Sequence, residues 1–469
     1  MGLLARPTLA DPPTGAVEFA VIPHIRTRAT KIVVFGVGGA WPVQDAVSFL
    51  PIVVDGRGYG MDSVAGSGRK AGQGTSALRK VTNTNASGAG SFKQAVDDHD
   101  SFAVPSTVVF ETSGTITLSS RLTVNQPYLT IAGQTAPSPG ITIKGGQFRT
   151  KASELLVQHM RFRLGPPEDN DCDRGRAMEI EVNQGASGIT NIVFDHCSFS
   201  WGTDQIISIW REVGAITMRR CIFSEALNNN CHTGGPHAFG PLTGGDGEHQ
   251  VAWIGNLFAH NDQRSPSSRS QKMALVNNVI YNWGLYGTGF QSQNGFSPNI
   301  TKSNCVGNSY IEGADSTDNK PMHALTGSHS LNCNSQIWID DNVSTTTFSE
   351  QFDLLFNQSG CTDAQLQASV RIDAVWPDGL VAAAGSDAEG LVLASCGARP
   401  ADRDAVDIAI VNDVQNLTGK IIDSQTEVGG WPTLAENTSA FVDPANPDAI
   451  TTDYTNREDH LHNLSAALE

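Results

Sequence analysis

The sequence predicts an all-β chain wound as a single-stranded parallel β-helix, and three observations carry that prediction. Glycine, at 47 of 469 residues, outnumbers any charged residue type. Short apolar runs alternate with Gly, Asn and Ser, a composition of turns and short strands rather than long helices. Six segments (155–165, 191–202, 215–226, 250–261, 273–284 and, more loosely, 301–313) repeat one layout: a short alternating strand, a turn, then a second short strand. Aligned, they stack Met160, Cys197, Cys221, Asn256, Asn278 and Asn308 in one column. Phe162, Phe199, Phe223, Phe258, Ile280 and Tyr310 follow two residues later, and the columns advance by 37, 24, 35, 22 and 30 residues. A minimum of 22–24 with longer insertions suits a coil of about three short strands whose insertions leave at the turns. One coil cannot bury its apolar face alone, but stacked coils do, with aromatics over aromatics and asparagines bonded along a ladder.

The remaining elements follow from local signals. Residues 107–146 read as further strands, the first coils. "SGAGSFKQAVDD" (87–98) reads as a short helix after a Gly-rich turn, a cap on the open end. "DRDAVDIAIVNDVQNLTG" (402–419) puts Val406, Ile410, Val414 and Leu417 on one helical face, with Asp before it and Gly419 after it. That helix, 402–418, is expected to pack on the outside of the stack. The division is then 1–50 as an N-terminal extension or misplaced export segment, 51–345 as the β-helix, 346–432 as the segment carrying the helix, and 433–469 as a loose tail. Within the extension, "RTRATKIVVFGVGGAW" (26–41) has the basic start and apolar run of an export signal without a clean cleavage site.

Charge narrows the partners. Asp and Glu total 48 against 31 Lys and Arg, a net charge of −17. An acidic chain without a basic face is not expected to bind nucleic acid, and no apolar run approaches a membrane-spanning length. Eight cysteines show no metal-ligand spacing, and their pairing is left open. Cys197 and Cys221, neighbours in the aligned column, are expected as buried thiols. Against this background "HNDQRSPSSRSQK" (260–272) stands out: Arg264 and Arg269 flank Pro266, with no carboxylate after Asp262. A planar guanidinium holds a carboxylate in two parallel hydrogen bonds, so the pair reads as an anion site.

Several ordered motifs carry a resemblance. "GRGYGMDSVAGSGR" (56–69), "TIAGQTAPSPGITI" (130–143), "RFRLG" (161–165), "FDHCSFSWGTDQIISI" (194–209), "NDQRSPSSR" (261–269) and "GARPADRDAVDIAIVNDVQNLTG" (397–419) together resemble polysaccharide lyase family 1, the pectate and pectin lyases, over roughly residues 51–432. The resemblance implies a right-handed β-helix that cleaves an acidic polysaccharide, pectate or homogalacturonan first, by β-elimination. It also implies a secreted or periplasmic protein, expected as a monomer. It makes Arg264 the base and Arg269 the binder of substrate carboxylate. Asp195 and His196 are structural on this reading.

The family's calcium site is only partly present. Asp204 matches one position, but Ser208 stands where another Asp is usual, and Arg176 stands at a third. Asp171 and Asp173, just upstream, are candidate replacements, so a Ca²⁺ site would comprise Asp204, Asp173 and Asp171. Arg176 in place of the ion is the calcium-independent alternative. Gly234 occupies a usual substrate-binding lysine position, leaving His232 and His237, with Arg176, as candidate sugar contacts. Two other functions stay open: a β-helical carbohydrate-binding protein without catalysis, and a glycoside hydrolase, for which Asp340-Asp341 is the only adjacent acid pair on a strand.

Overall fold

A computed structural model describes residues 53, 57–67, 76–182, 188–245, 249–269, 272–292, 299–444 and 456–469; the 1–50 extension lies outside them. The chain winds through three all-parallel sheets of ten, nine and nine strands. Sheet 1 runs from Ala77–Val81 to Gln336–Asp340, sheet 2 from Leu122–Val124 to Leu355–Asn357, and sheet 3 from Gly114–Thr117 to Val343–Ser344. Each coil gives one strand to each sheet in the order 1, 3, 2, as in Ile192–Asp195, Ser198–Ser200 and Ile207–Trp210. This is a parallel β-helix, with its last strand twelve residues beyond the expected 345.

The aligned columns are the interior. Phe162, Phe199, Phe223 and Phe258 stack in register on sheet 3, with successive ring centroids 5.4, 5.3 and 5.0 Å apart, and Ile280 and Tyr310 continue the row. Each buried ring removes apolar surface worth roughly 1.5–3 kcal/mol from water. At the corner from sheet 1 to sheet 3, Asn256, Asn278, Asn308 and Asn342 form a ladder, each amide donating to the next side-chain oxygen at 2.8–2.9 Å. Cys221 N–H donates to Asn256 at 2.9 Å, so the buried free thiols Cys197 and Cys221 occupy the ladder's other end. The residue before each of these turns left-handed: His159, His196, Arg220, Gly255, Asn277, Gly307 and Asp341 all have positive φ. The ladder satisfies the backbone groups this sharp bend takes out of the sheets.

Two helices close the stack as expected, with shifted limits. The cap helix is Phe92–Phe102, with the Ser91 hydroxyl accepting from Gln94 N–H and Phe92 against Phe110 and Phe148. The outer helix is Ala405–Asn416, capped by Asp404; its Ile410, Val411 and Val414 pack on Ile222, Leu257, Val279 and Tyr281 of sheet 3. Leu417 does not share that face: it ends the helix in a left-handed conformation and is 60% exposed. Ion pairs lock this helix down. Arg163 binds Asp404 and, at 2.7 Å, Asp407, while Arg161 lies 3.6 and 3.7 Å from the same two carboxylates. All four side chains are almost fully buried. Burial opposes the Asp404 charge, yet Arg163 and Arg161 hold its pKa down at about 2.

The stretch expected as a loose tail contains a further helix, Arg457–Ala466, docked through Leu461 onto Val53, Ala132, Leu156 and Val193. Its neighbour Glu469 accepts from Arg220 at 2.7 Å, and Ser465 meets His159 at 2.8 Å. Asp195 and His196 lie buried in this layer, with Asp195 held by Gln158 at 2.7 Å and Arg219 at 3.3 Å. They brace the stack and its terminal helix, the structural role expected of them.

Candidate active site

The links from sheet 3 to sheet 2 are where coils differ most, and the predicted site residues gather there. Arg264 sits in the 260–266 link with φ 68, before a cis Ser265–Pro266 bond and the strand Ser267–Arg269. The preceding coil makes room for it: a Cβ on Gly240 would lie 2.2 Å from the Arg264 carbonyl oxygen. The Arg264 guanidinium donates to Gln205 Oε1 at 2.8 Å, lies 4.0 Å from the centre of the Phe239 ring, and is hydrogen-bonded to Tyr286. Among the described residues it makes no ion pair. Burial without a carboxylate partner lowers its pKa from the usual arginine value.

Arg269 ends that strand on the outer face of sheet 2. Its Nε donates to Gln291 at 2.7 Å and its guanidinium lies 5.6 Å from the Trp210 ring centre. Gly244, between the two in the ladder, keeps the approach open, since a Cβ there would lie 2.8 Å from Trp210 and 2.9 Å from Arg269. Burial, with Arg264 nearby, lowers the Arg269 pKa to about 10. Both cations are therefore held by amides and aromatic faces in surroundings that disfavour their charge, and an incoming carboxylate relieves that cost.

The acids on the same side are already matched. Arg176 bridges Glu179 at 3.2 Å and Asp204 at 2.5 Å. Arg149 holds Glu179 at 3.2 Å and Glu181 at 3.0 Å, and Arg211 holds Glu181 at 3.3 Å. The ladder register sets Arg149, Glu179 and Ser208 side by side on successive strands. Arg149, Arg176 and Arg211 thus match Asp204, Glu179 and Glu181 along this strip, while Arg264 makes no ion pair among the described residues.

The structure places the other candidates unevenly. His232 and His237 stack face to face at 3.7 Å, and His237 in turn lies 4.3 Å from Phe239, so an aromatic column runs from His232 to the Arg264 guanidinium. The disulfide Cys172–Cys231 ties this loop to the 165–177 link. Asp173 is not at the Asp204 site: its carboxylate accepts the Thr233 N–H at 2.7 Å and hydroxyl at 2.6 Å. Those bonds hold its pKa below the usual range. The Asp171 side chain makes no hydrogen bond or ion pair among the described residues. The expected set Asp204, Asp173 and Asp171 is thus not gathered. Asp204 has two imidazoles and a guanidinium as neighbours, where calcium takes six to eight oxygens. These residues do not fit a protein-held calcium ion.

Gln205, Phe239, Tyr286, Trp210 and Glu179 complete the site and were not singled out from sequence. Isolated bridges align Gln205, Phe239 and Gln263 across three coils, so carrying the repeat alignment into the links would have exposed them. Asp340-Asp341 offers no hydrolase pair: Asp340 ends a strand of sheet 1, and Asp341 turns the corner and accepts from Gly385 N–H at 3.0 Å.

Comparison with known proteins agrees with this geometry. No protein-family model matches the chain. The protein named probable pectate lyase C of Neosartorya fischeri is 30% identical over 402 residues, covering 85% of each chain. Among solved structures, jun a 1, the major allergen of cedar pollen, superposes with TM-score 0.51 at 16% identity, covering 73% of this chain and 92% of its own. A thermostable pectate lyase gives TM-score 0.51 at 14% identity, covering 74% and 99%; at such identities these two speak for the fold alone. On the Neosartorya fischeri relative and the β-helix, the chain belongs to polysaccharide lyase family 1, the pectate lyases, and is a carbon–oxygen lyase.

Proposed function

We propose that the protein cleaves a polyuronate, homogalacturonan first, by β-elimination without a protein-held metal. Arg264 takes the proton from the carbon beside the uronate carboxylate. The electron pair forms a carbon–carbon double bond and expels the oxygen on the next carbon, which gains its proton from water. Arg269 holds the carboxylate, and Arg176 supplies fixed positive charge on the Asp204 side. An enolate-like charge needs such preorganised donors. One observation carries the reading: Arg264 is half-buried against an amide, a phenyl face and a phenol, with no ion pair among the described residues, a setting that favours its giving up or regaining a proton. The protein works outside the cell as a single subunit on this reading. The two disulfides, Cys172–Cys231 and Cys333–Cys361, support an oxidising compartment.

Ultraviolet absorbance of the unsaturated uronate product tests this. Wild-type protein is expected to form product from polygalacturonate with a chelator present, and Arg264→Ala to form none. Full activity in that variant overturns the role of Arg264; loss of activity with chelator overturns the metal-free step. Binding without product in the wild type identifies a carbohydrate-binding protein instead.

A further inference from the structure

We infer that Asp204, His232 and His237 form a binding site for a first-row transition-metal dication such as zinc, distinct in kind from a calcium site. The inference rests on donor chemistry and stands whether or not the elimination mechanism above holds. One donor atom from each of the three lies within 4.8 Å of the others. Two imidazoles and one carboxylate suit zinc, nickel or copper, whereas calcium takes oxygen.

Hydrogen bonds assign the lone pairs. His237 Nδ1 lies 3.3 Å from the Gly235 carbonyl, an acceptor only, so that nitrogen carries the proton and Nε2 is left as a donor toward the metal. Nε2 is 4.0 Å from Asp204 Oδ1. Zinc with ligands at about 2.0–2.2 Å needs donors roughly 3.3 Å apart, so this pair closes by less than about 1 Å. His232 Nδ1 accepts the Gly234 N–H at 2.9 Å, so its lone pair is there, and the ion displaces that weak donor. Binding also requires the two rings to leave their face-to-face stack, since an ion lies in the plane of each ring it meets. Gly235, with φ 89 and nothing near the place of a Cβ, lies between the two histidines. The surroundings resemble an outer shell. Arg176 holds Asp204 Oδ2, leaving Oδ1 for the ion, and Asp173 lies 3.7 Å from His232. The disulfide at Cys231 anchors the neighbouring backbone. The other three-donor group, His159, His196 and Glu469, lies beneath the Arg457–Ala466 helix and is already bonded to Ser465 and Arg220.

The test is calorimetric titration of chelator-treated protein with zinc chloride, repeated with calcium chloride. One equivalent of zinc is expected to bind, and calcium not to compete. His237→Gln and His232→Gln, each checked for an unchanged melting temperature, are expected to weaken zinc on the order of tenfold to a hundredfold. Cobalt in place of zinc is expected to give visible absorption that both variants lose. No zinc binding in the wild type overturns the site, as does unchanged affinity in both variants, which places the ion elsewhere.

Discussion

Arg161 and Arg163 lie between sheet 3 and the outer helix, facing Asp404 and Asp407; Arg264 and Arg269 lie on the sheet 2 side, facing Gln205, Phe239, Trp210 and Gln291. Both pairs sit in motifs the sequence singles out; the first is fully removed from water and the second is half-buried. They differ in who supplies the counter-charge. The first pair meets two buried carboxylates from elsewhere in the chain and becomes a clamp. In the second, Arg264 meets an amide and a phenyl face with no ion pair among the described residues, and Arg269 lies against Gln291 and Trp210. A guanidinium near carboxylates of its own chain, as at Arg163, is a structural clamp; one without an ion pair among the described residues, as at Arg264, is the better candidate to meet an anion from outside.

The comparison breaks first at its centre. Arg264→Ala is expected to lower product formation on the order of a thousandfold or more with an unchanged melting temperature. Arg163→Ala is expected to do the reverse, costing about 3–5 kcal/mol in a denaturant titration because Asp404 and Asp407 are left buried and unmatched. Its lyase activity per folded molecule is expected to survive. Arg269→Lys keeps charge but loses the planar fork, so the KM for polygalacturonate should rise roughly tenfold with kcat less affected.

The pH profile sharpens the same point. Arg269 binds a carboxylate only when protonated, and its pKa is lowered to about 10. As pH rises through that value the free enzyme loses the charge and kcat/KM falls, about tenfold per unit. A bound carboxylate favours the charged form, so kcat turns down at higher pH than kcat/KM. Coincident limbs would count against Arg269 as the carboxylate holder. The smallest effect belongs to Phe239→Leu, which removes a ring face worth about 0.5–2 kcal/mol beneath Arg264 and should cost a few-fold to about thirtyfold in kcat/KM.

The fold was legible because stacking repeats its demands: a Phe or an Asn at one position predicts its neighbour a coil away. The arginine pair was legible as a motif. Gln205, Phe239 and Tyr286 were not, because each comes from a different link of irregular length and nothing local marks a residue that touches Arg264. "RFRLG" was recognised without its role, since its partners lie some 240 residues on. The helix Arg457–Ala466 escaped because it buries Arg457, Glu458 and Asp459 with Leu461, so no apolar stripe announces it.

The coil-by-coil construction makes the molecule a ruler. Three strand-to-strand steps separate Met178–Glu181, beside Arg176, from Ser267–Arg269, a span of about 14 Å at roughly 4.8 Å per step. The site is therefore graduated in whole coils. Splicing one extra coil between Trp210 and Leu242 would slide Arg269 away from Arg176 by one graduation while leaving each aromatic row a partner above and below. If Arg176 and Arg269 hold substrate as proposed, length preference becomes a quantity adjustable in discrete steps, one coil at a time.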